Sequence, residues 1–139
     1  VDNYLKCPSG MPSVQQSLSV LLTVAALYNE GKNADDEALI TLSRIASAFS
    51  ERSAEILGIK DRGSLRIGNY ADIVVIDPEQ EYSVKEVAYK CGWSPYEGIT
   101  LRGVIERVFL NGRQVVASGQ ITAESPAGKK LEFSAPSHK

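Results

Sequence analysis

The residue types best suited to chemistry are few in this 139-residue chain, and poorly spaced for one another. Zinc needs Cys, His or carboxylate ligands at converging positions, yet the single histidine, His138, stands one residue from the end. Cys7 and Cys91 lie 84 positions apart (91 − 7) and neither has a CxxC partner. With no legible signal peptide they are expected to be reduced thiols, each a small buried hydrophobe, and not a disulfide framework. A Ser-His nucleophile has no positioned histidine to work with. Asp72 and Asp77 bracket the apolar run IVVI and invite reading as a carboxylate pair. Five positions apart on a strand, they face opposite sides, so each is expected to bond to neighbouring turns instead. Gly63 and Gly68 do not make a GxGxxG fingerprint.

Two stretches remain. In LKCPSGMPSVQQS (residues 5–17), Pro8 and Pro12 stiffen the backbone and Gly10 lets a ligand approach closely. Ser9 or Ser13 is expected to cap the helix that follows. Its first amides would then favour a carboxylate or a polarised carbonyl. On pattern alone a plain loop-to-helix junction is the commoner reading. In YKCGWSPYEGITLRGVIERVFLNG (89–112), Trp93, Pro95, Tyr96 and Gly98 predict a stiff aromatic turn, a plug or interface element whose first role is packing.

The elements that must position these stretches divide near Gly58. Before it the spacing is helical. Val14, Leu18, Leu21, Leu22 and Ala25 form one stripe, with Val20, Val24 and Leu27 on its flanks, which predicts burial on more than one side. Asp35 or Asp36 is expected to cap a second helix carrying Leu39, Leu42, Ile45, Ala46 and Phe49. Ser50 is expected to cap a third, ending at Gly58. After Gly58 the period falls to two. SLRI (64–67) and ADIVVID (71–77) are predicted strands around Gly68-Asn69, with Pro78 ending the second. RGVIERVFL and RQVVAS meet across Asn111-Gly112, a strong hairpin signal, and QIT extends the sheet. Three helices followed by four to six antiparallel strands predict an α+β chain.

Composition narrows the class further. With 43% apolar residues the chain can build a core, and 15 basic against 17 acidic residues give a net charge of −2 without basic blocks. That excludes the electrostatic footprint of a nucleic-acid binder. The longest apolar run is too short to span a bilayer, so a cytoplasmic protein is expected. The chain starts without Met, and an upstream portion is expected.

CGWSPYEG followed by a strand and NG resembles the C-terminal signature of dihydroorotases, in the amidohydrolase superfamily. KCPSGMPSVQQSLSVLL resembles the loop and helix after that family's last barrel strand. RGSLRIGNYADIVVID resembles the superfamily's habitual stretch in a small β-sandwich lobe. The three occur in the family's order across residues 5–120. The resemblance implies an α/β parent, a (β/α)8 barrel metal-dependent hydrolase with a small β-sandwich lobe. Residues 1–57 would supply the closing barrel helices, and residues 58–139 the antiparallel sandwich strands and tail. A barrel takes about 250 residues, so this chain would be the last part of its parent.

The implied chemistry is reversible hydrolysis of L-dihydroorotate to N-carbamoyl-L-aspartate, in pyrimidine biosynthesis. One or two zinc ions would polarise the ring carbonyl and supply hydroxide. The family's ligands (an HxH pair, a carboxylated lysine, two further histidines and an aspartate) would all lie upstream, so no metal ligand or catalytic residue is expected here and the isolated chain is expected to be inactive. Backbone groups at Ser9 and Gly10 would contact substrate. The resemblance also implies a homo-oligomer and a possible partner in aspartate transcarbamoylase. Its rivals are a hydantoinase or allantoinase, and a non-catalytic dihydroorotase-like scaffold.

Overall fold

Helix α1 (Ser17–Asn29) begins later than the apolar spacing predicts, because Ser13 acts through its main chain. Its carbonyl accepts the Gln16 amide and the Ser17 hydroxyl, and no side chain caps the helix. These details come from a computed structural model that describes residues 10–85 and 87–134. One face of α1 is buried, with Gln16, Ser19, Leu22 and Ala25 at three-residue spacing. Among the described residues that face alone is covered: Val14, Val24 and Leu27 are 86%, 51% and 66% exposed, against the expected burial on more than one side. The covered face meets strand β2 and, through Ile45, helix α2.

The second helical region is one continuous run. Helix α2 (Leu42–Ala46), a π-helical turn (Ser47–Glu51) and helix α3 (Arg52–Leu57) follow without a break, so Ser50 caps nothing. The cap of α2 is Thr41, whose hydroxyl accepts the Arg44 amide. Asp36 instead bonds the Ala38 amide in a local turn before the helix. Asn29 grips both backbone groups of Ile40 and fixes the connection between α1 and α2. At Gly58, in the left-handed region, the amides of Gly58 and Ile59 close onto the carbonyls of Glu55 and Ala54, as the C-terminal signal predicts.

Four antiparallel strands follow in the order β1 (Ile73–Ser83), β2 (Thr100–Leu110), β3 (Arg113–Ala117) and β4 (Gln120–Ile121). SLRI is not a strand; residues 64–67 lead into a turn at Gly68-Asn69 with no partner to pair. Asn111 and Gly112 both have positive φ and form the expected two-residue hairpin turn.

Pro78 does not end its strand. The register steps from Asp77↔Val104 to Glu81↔Arg102, so three residues of β1 face the single Gly103 of β2. Pro78 has no amide to lose from the ladder, and Asp77 Oδ1 accepts the amides of Glu79 and Gln80 that the bulge frees. The chain is therefore α+β, as expected, with Leu22, Ala25 and Ile45 as its core and Leu18, Ile40 and Ile76 packed around them.

Gly103 is where helix and sheet touch. Its φ is +90°, and a Cβ there would run into the side chain of buried Leu22. Gly103→Ala is expected to lower stability by about 2 kcal/mol, from left-handed backbone cost and overpacking together. Urea denaturation checks this; an unchanged midpoint would mean that α1 does not seat against β2 as described.

Candidate functional site

Of the two positions expected to contact a ligand, Ser9 lies outside the described residues, as do Cys7, Pro8 and His138. Gly10 is exposed, and a side chain placed on it would meet nothing within 4 Å. The loop from Gly10 to Gln16 thus presents open backbone at its start and is anchored at its end.

The anchor is the long connection between β1 and β2. Its neck is closed by Val84, 3% exposed, whose amide bonds the Ile99 carbonyl and whose carbonyl accepts the Gly98 amide. The aromatic stretch folds as a tight turn. Ser94 is buried, its amide bonds Glu97 Oε1, and its hydroxyl accepts the Tyr96 amide. Trp93 and Tyr96 are half-buried, while Pro95 and Gly98 are exposed, so the turn packs only in part. Cys91 departs from expectation: it is exposed, with its thiol toward the Trp93 carbonyl.

From the other limb of this connection, Tyr89 reaches the loop. Its phenolic oxygen accepts the Gln15 amide at 2.5 Å and donates to Gln16 Oε1 at 3.1 Å. Gln15 Oε1 in turn accepts the Ala88 amide at 2.8 Å. Further along the same face of α1, Ser19 Oγ donates to the Gly103 carbonyl and accepts from Tyr82, while Thr23 Oγ1 accepts the Arg102 amide. Gln16, Ser19 and Thr23 recur at i, i+3 and i+7. Sequence reading passed over them, although polar residues at helical spacing within an apolar helix were the available signal.

The carboxylates behave as their spacing predicts. Asp72 and Asp77 do not form a pair. Asp77 serves the β1 bulge, and Asp72 pairs with Arg62 while accepting the Asn111 amide. Arg62 also donates to Asn111 Oδ1 and lies over the Tyr70 ring. This knot ties the segment after α3 to the start of β1 and the hairpin turn.

A cleft of about 380 Å³ opens at the far end of α1, lined by Thr23, Asn29, Glu30, Glu81, Thr100 and Arg102 among others. Gly10 is not among its lining residues. Arg102 pairs there with Glu79 at 2.8 Å, and its Nε has no partner among the described residues. Among the described residues no three His, Cys, Asp or Glu side chains come together as a metal site, so this part of the chain does not fit a zinc ion. No described helix is long and apolar enough to cross a membrane.

Comparison with known proteins sets this arrangement in a family. The sequence profile described as "Amidohydrolase family" matches residues 9–115. The chain is 32% identical over 132 residues to a dihydroorotase from Thermococcus kodakarensis, covering 94% of this chain and 29% of that protein. It is 30% identical over 134 residues to a D-hydantoinase from Ralstonia pickettii, covering 94% of this chain and 27% of that one. The chain thus spans less than a third of the length of these relatives. In fold, it matches the L-hydantoinase (dihydropyrimidinase) of Arthrobacter aurescens with a TM-score of 0.76, over 93% of this chain and 27% of that chain, at 20% identity. The D-hydantoinase (dihydropyrimidinase) of Thermus sp. matches over 87% of this chain and 25% of that chain, with a TM-score of 0.69 at 22% identity.

Proposed function

The chain belongs to the amidohydrolase family, and from that premise we propose that it is the C-terminal part of a cyclic amidohydrolase, with dihydroorotate as its substrate. The observation that carries this reading is the 32% identity to a dihydroorotase along 94% of the chain. On this reading the whole protein opens the ring of L-dihydroorotate by hydrolysis to N-carbamoyl-L-aspartate, reversibly. Residues 1–57 close the barrel of that protein, and residues 58–139 belong to its β-sandwich lobe. Ser9 and Gly10 lie against the substrate and contact it through backbone groups. Open space around Gly10 supports that role, because nothing in the described chain fills it.

The metal of such a protein would be zinc, held by residues outside this chain, and no chemical step is assigned to the residues described. Their part is to present and hold the substrate loop. A homo-oligomer, and a complex with aspartate transcarbamoylase, belong to the same proposal. The 30% identity to a D-hydantoinase supports a second reading, in which the ring is a hydantoin. Loop and chemistry class stay the same and the substrate pocket differs.

Turnover of dihydroorotate, hydantoin and allantoin by the complete, zinc-supplied protein tests these readings. Dihydroorotate is expected to be fastest; preference for either other ring selects the corresponding hydrolase. Zinc uptake without turnover of any of the three would overturn the cyclic-amide reading and leave a scaffold role. The purified 139-residue chain is expected to hold no stoichiometric zinc and to hydrolyse none of the three rings. Metal analysis alongside the assay checks this, and zinc-dependent turnover by that chain would overturn the assignment of catalysis to residues outside it.

A further inference from the structure

We propose that Tyr89 is the positioning residue of the substrate loop: a single phenol group that fixes the segment Gly10–Gln16 from 74 positions away in the chain (89 − 15). The inference rests on the loop's proposed contact with substrate, and it goes further by naming what holds the loop in place.

Three observations point to this role. The first is directional. The Gln15 amide can only donate, so the phenol must accept from it and direct its own hydrogen to Gln16 Oε1. Both capacities of the hydroxyl are therefore used on adjacent residues, which fixes the direction of the backbone as well as its distance. The second is burial. Gln16 is 1% exposed, one of the largest fully buried side chains described. An apolar residue would pack there without an amide to desolvate, so what the glutamine contributes is orientation. The third is the mount. Tyr89 stands on a connection whose neck is closed at Val84 and whose tip is locked by the Ser94–Glu97 turn, and Ala88 adds a parallel bond to Gln15 Oε1. A side chain on a braced support can hold a loop still, and an ordered loop binds its ligand without having to be ordered by it.

Among the described residues, the Tyr89 phenol ties the Gln15 amide and the Gln16 side chain laterally, and the Ala88 amide adds a second tie at Gln15 Oε1. The Gln16 backbone amide bonds within its own turn, to the Ser13 carbonyl. Removing the phenolic oxygen should release the loop while leaving the ring packed and α1 seated on β2 through Ser19 and Gly103.

Tyr89→Phe deletes that one oxygen. In hydrogen exchange on the 139-residue chain, the Gln15 amide is expected to exchange about fivefold to tenfold faster, the effect of losing one hydrogen bond. Amides in β2 and β3 should be unmoved. In the complete protein, the same variant is expected to raise KM for the cyclic amide several-fold with kcat within about twofold, because a looser loop weakens ground-state and transition-state binding alike. Tyr28→Phe, on the exposed end of α1, serves as the control and should change neither. Unaltered exchange at Gln15 would overturn the proposal. So would faster exchange with an unchanged KM in an active protein, since the loop would then be tied but not used. If the complete wild-type protein opens no cyclic amide, the functional reading fails by that result, and the exchange experiment still decides whether Tyr89 holds the loop.

Discussion

Gly63→Ala is expected to lower stability by about 3 kcal/mol and the melting temperature by roughly 10 °C. Gly63 has φ +87°, where an L side chain adds about 1–2 kcal/mol. A Cβ there would stand 2.6 Å from Ala54 Cβ and 2.9 Å from the Ser50 carbonyl oxygen. Neither neighbour can swing aside. Ala54 is a buried residue of α3, and the Ser50 carbonyl belongs to the π-helical turn, so relief requires moving backbone. The glycine marks where the chain, having left α3 at Gly58, folds back against that helix. Thermal and urea unfolding of the variant would measure the effect. A loss below about 1 kcal/mol would show that the segment around Gly63 does not lie against the π-helical turn.

Asp72→Ala should come next in size, at about 2–4 kcal/mol. The Arg62 side chain is only 10% exposed, so without Asp72 its charge is left short of its partner. The Asn111 amide loses its acceptor at the same time, at the turn that sets the β2–β3 register. Asp72 itself is 30% exposed, which lets water soften the loss and keeps the estimate below that for a fully buried pair. Asp72→Asn should cost roughly half as much, because an amide oxygen can still accept from Asn111 while the charge pairing is gone. Equal losses for the two variants would assign the whole effect to the ion pair; no loss in either would remove Asp72 from the knot that joins β1, the hairpin turn and the segment after α3.

Much of the fold was legible because it rests on local chemistry. Asn111-Gly112 takes positive φ at both positions, and few other residue pairs do so without strain, so the hairpin was readable from two letters, whereas the register shift between Val108 and Phe109 was not. Gly58 ended its helix for the same reason. The candidate site was only half legible. CPSG resembles a family's substrate loop, and the family match from residue 9 to 115 supports the family without bearing on that loop's role. Gly10 is open, while Ser9 lies outside the described residues.

Two of the misread features, SLRI and Pro78, involved partners distant in sequence, and the α2 cap was local. SLRI alternates like a strand but lacks a neighbour, and alternation alone cannot supply the other half of a ladder. Pro78 reads as a strand terminator, yet the strand continues because the bulge opposite Gly103 needs no amide there. Thr41 displaces Asp35 and Asp36 as a cap because the chain enters α2 later than its acidic run.

By itself, then, the sequence determined the α+β order, the hairpin, the helix end at Gly58 and membership of a hydrolase family. Each depends on residues a few positions apart or on a contiguous motif. Only the tertiary structure decided that α1 turns Ser19 and Thr23 toward the sheet, and that Tyr89 meets Gln15 and Gln16. Those contacts join residues more than 60 positions apart, and the rule that a buried polar group must find a partner does not say which one. Packing α1 against Gly103 brings those partners within reach.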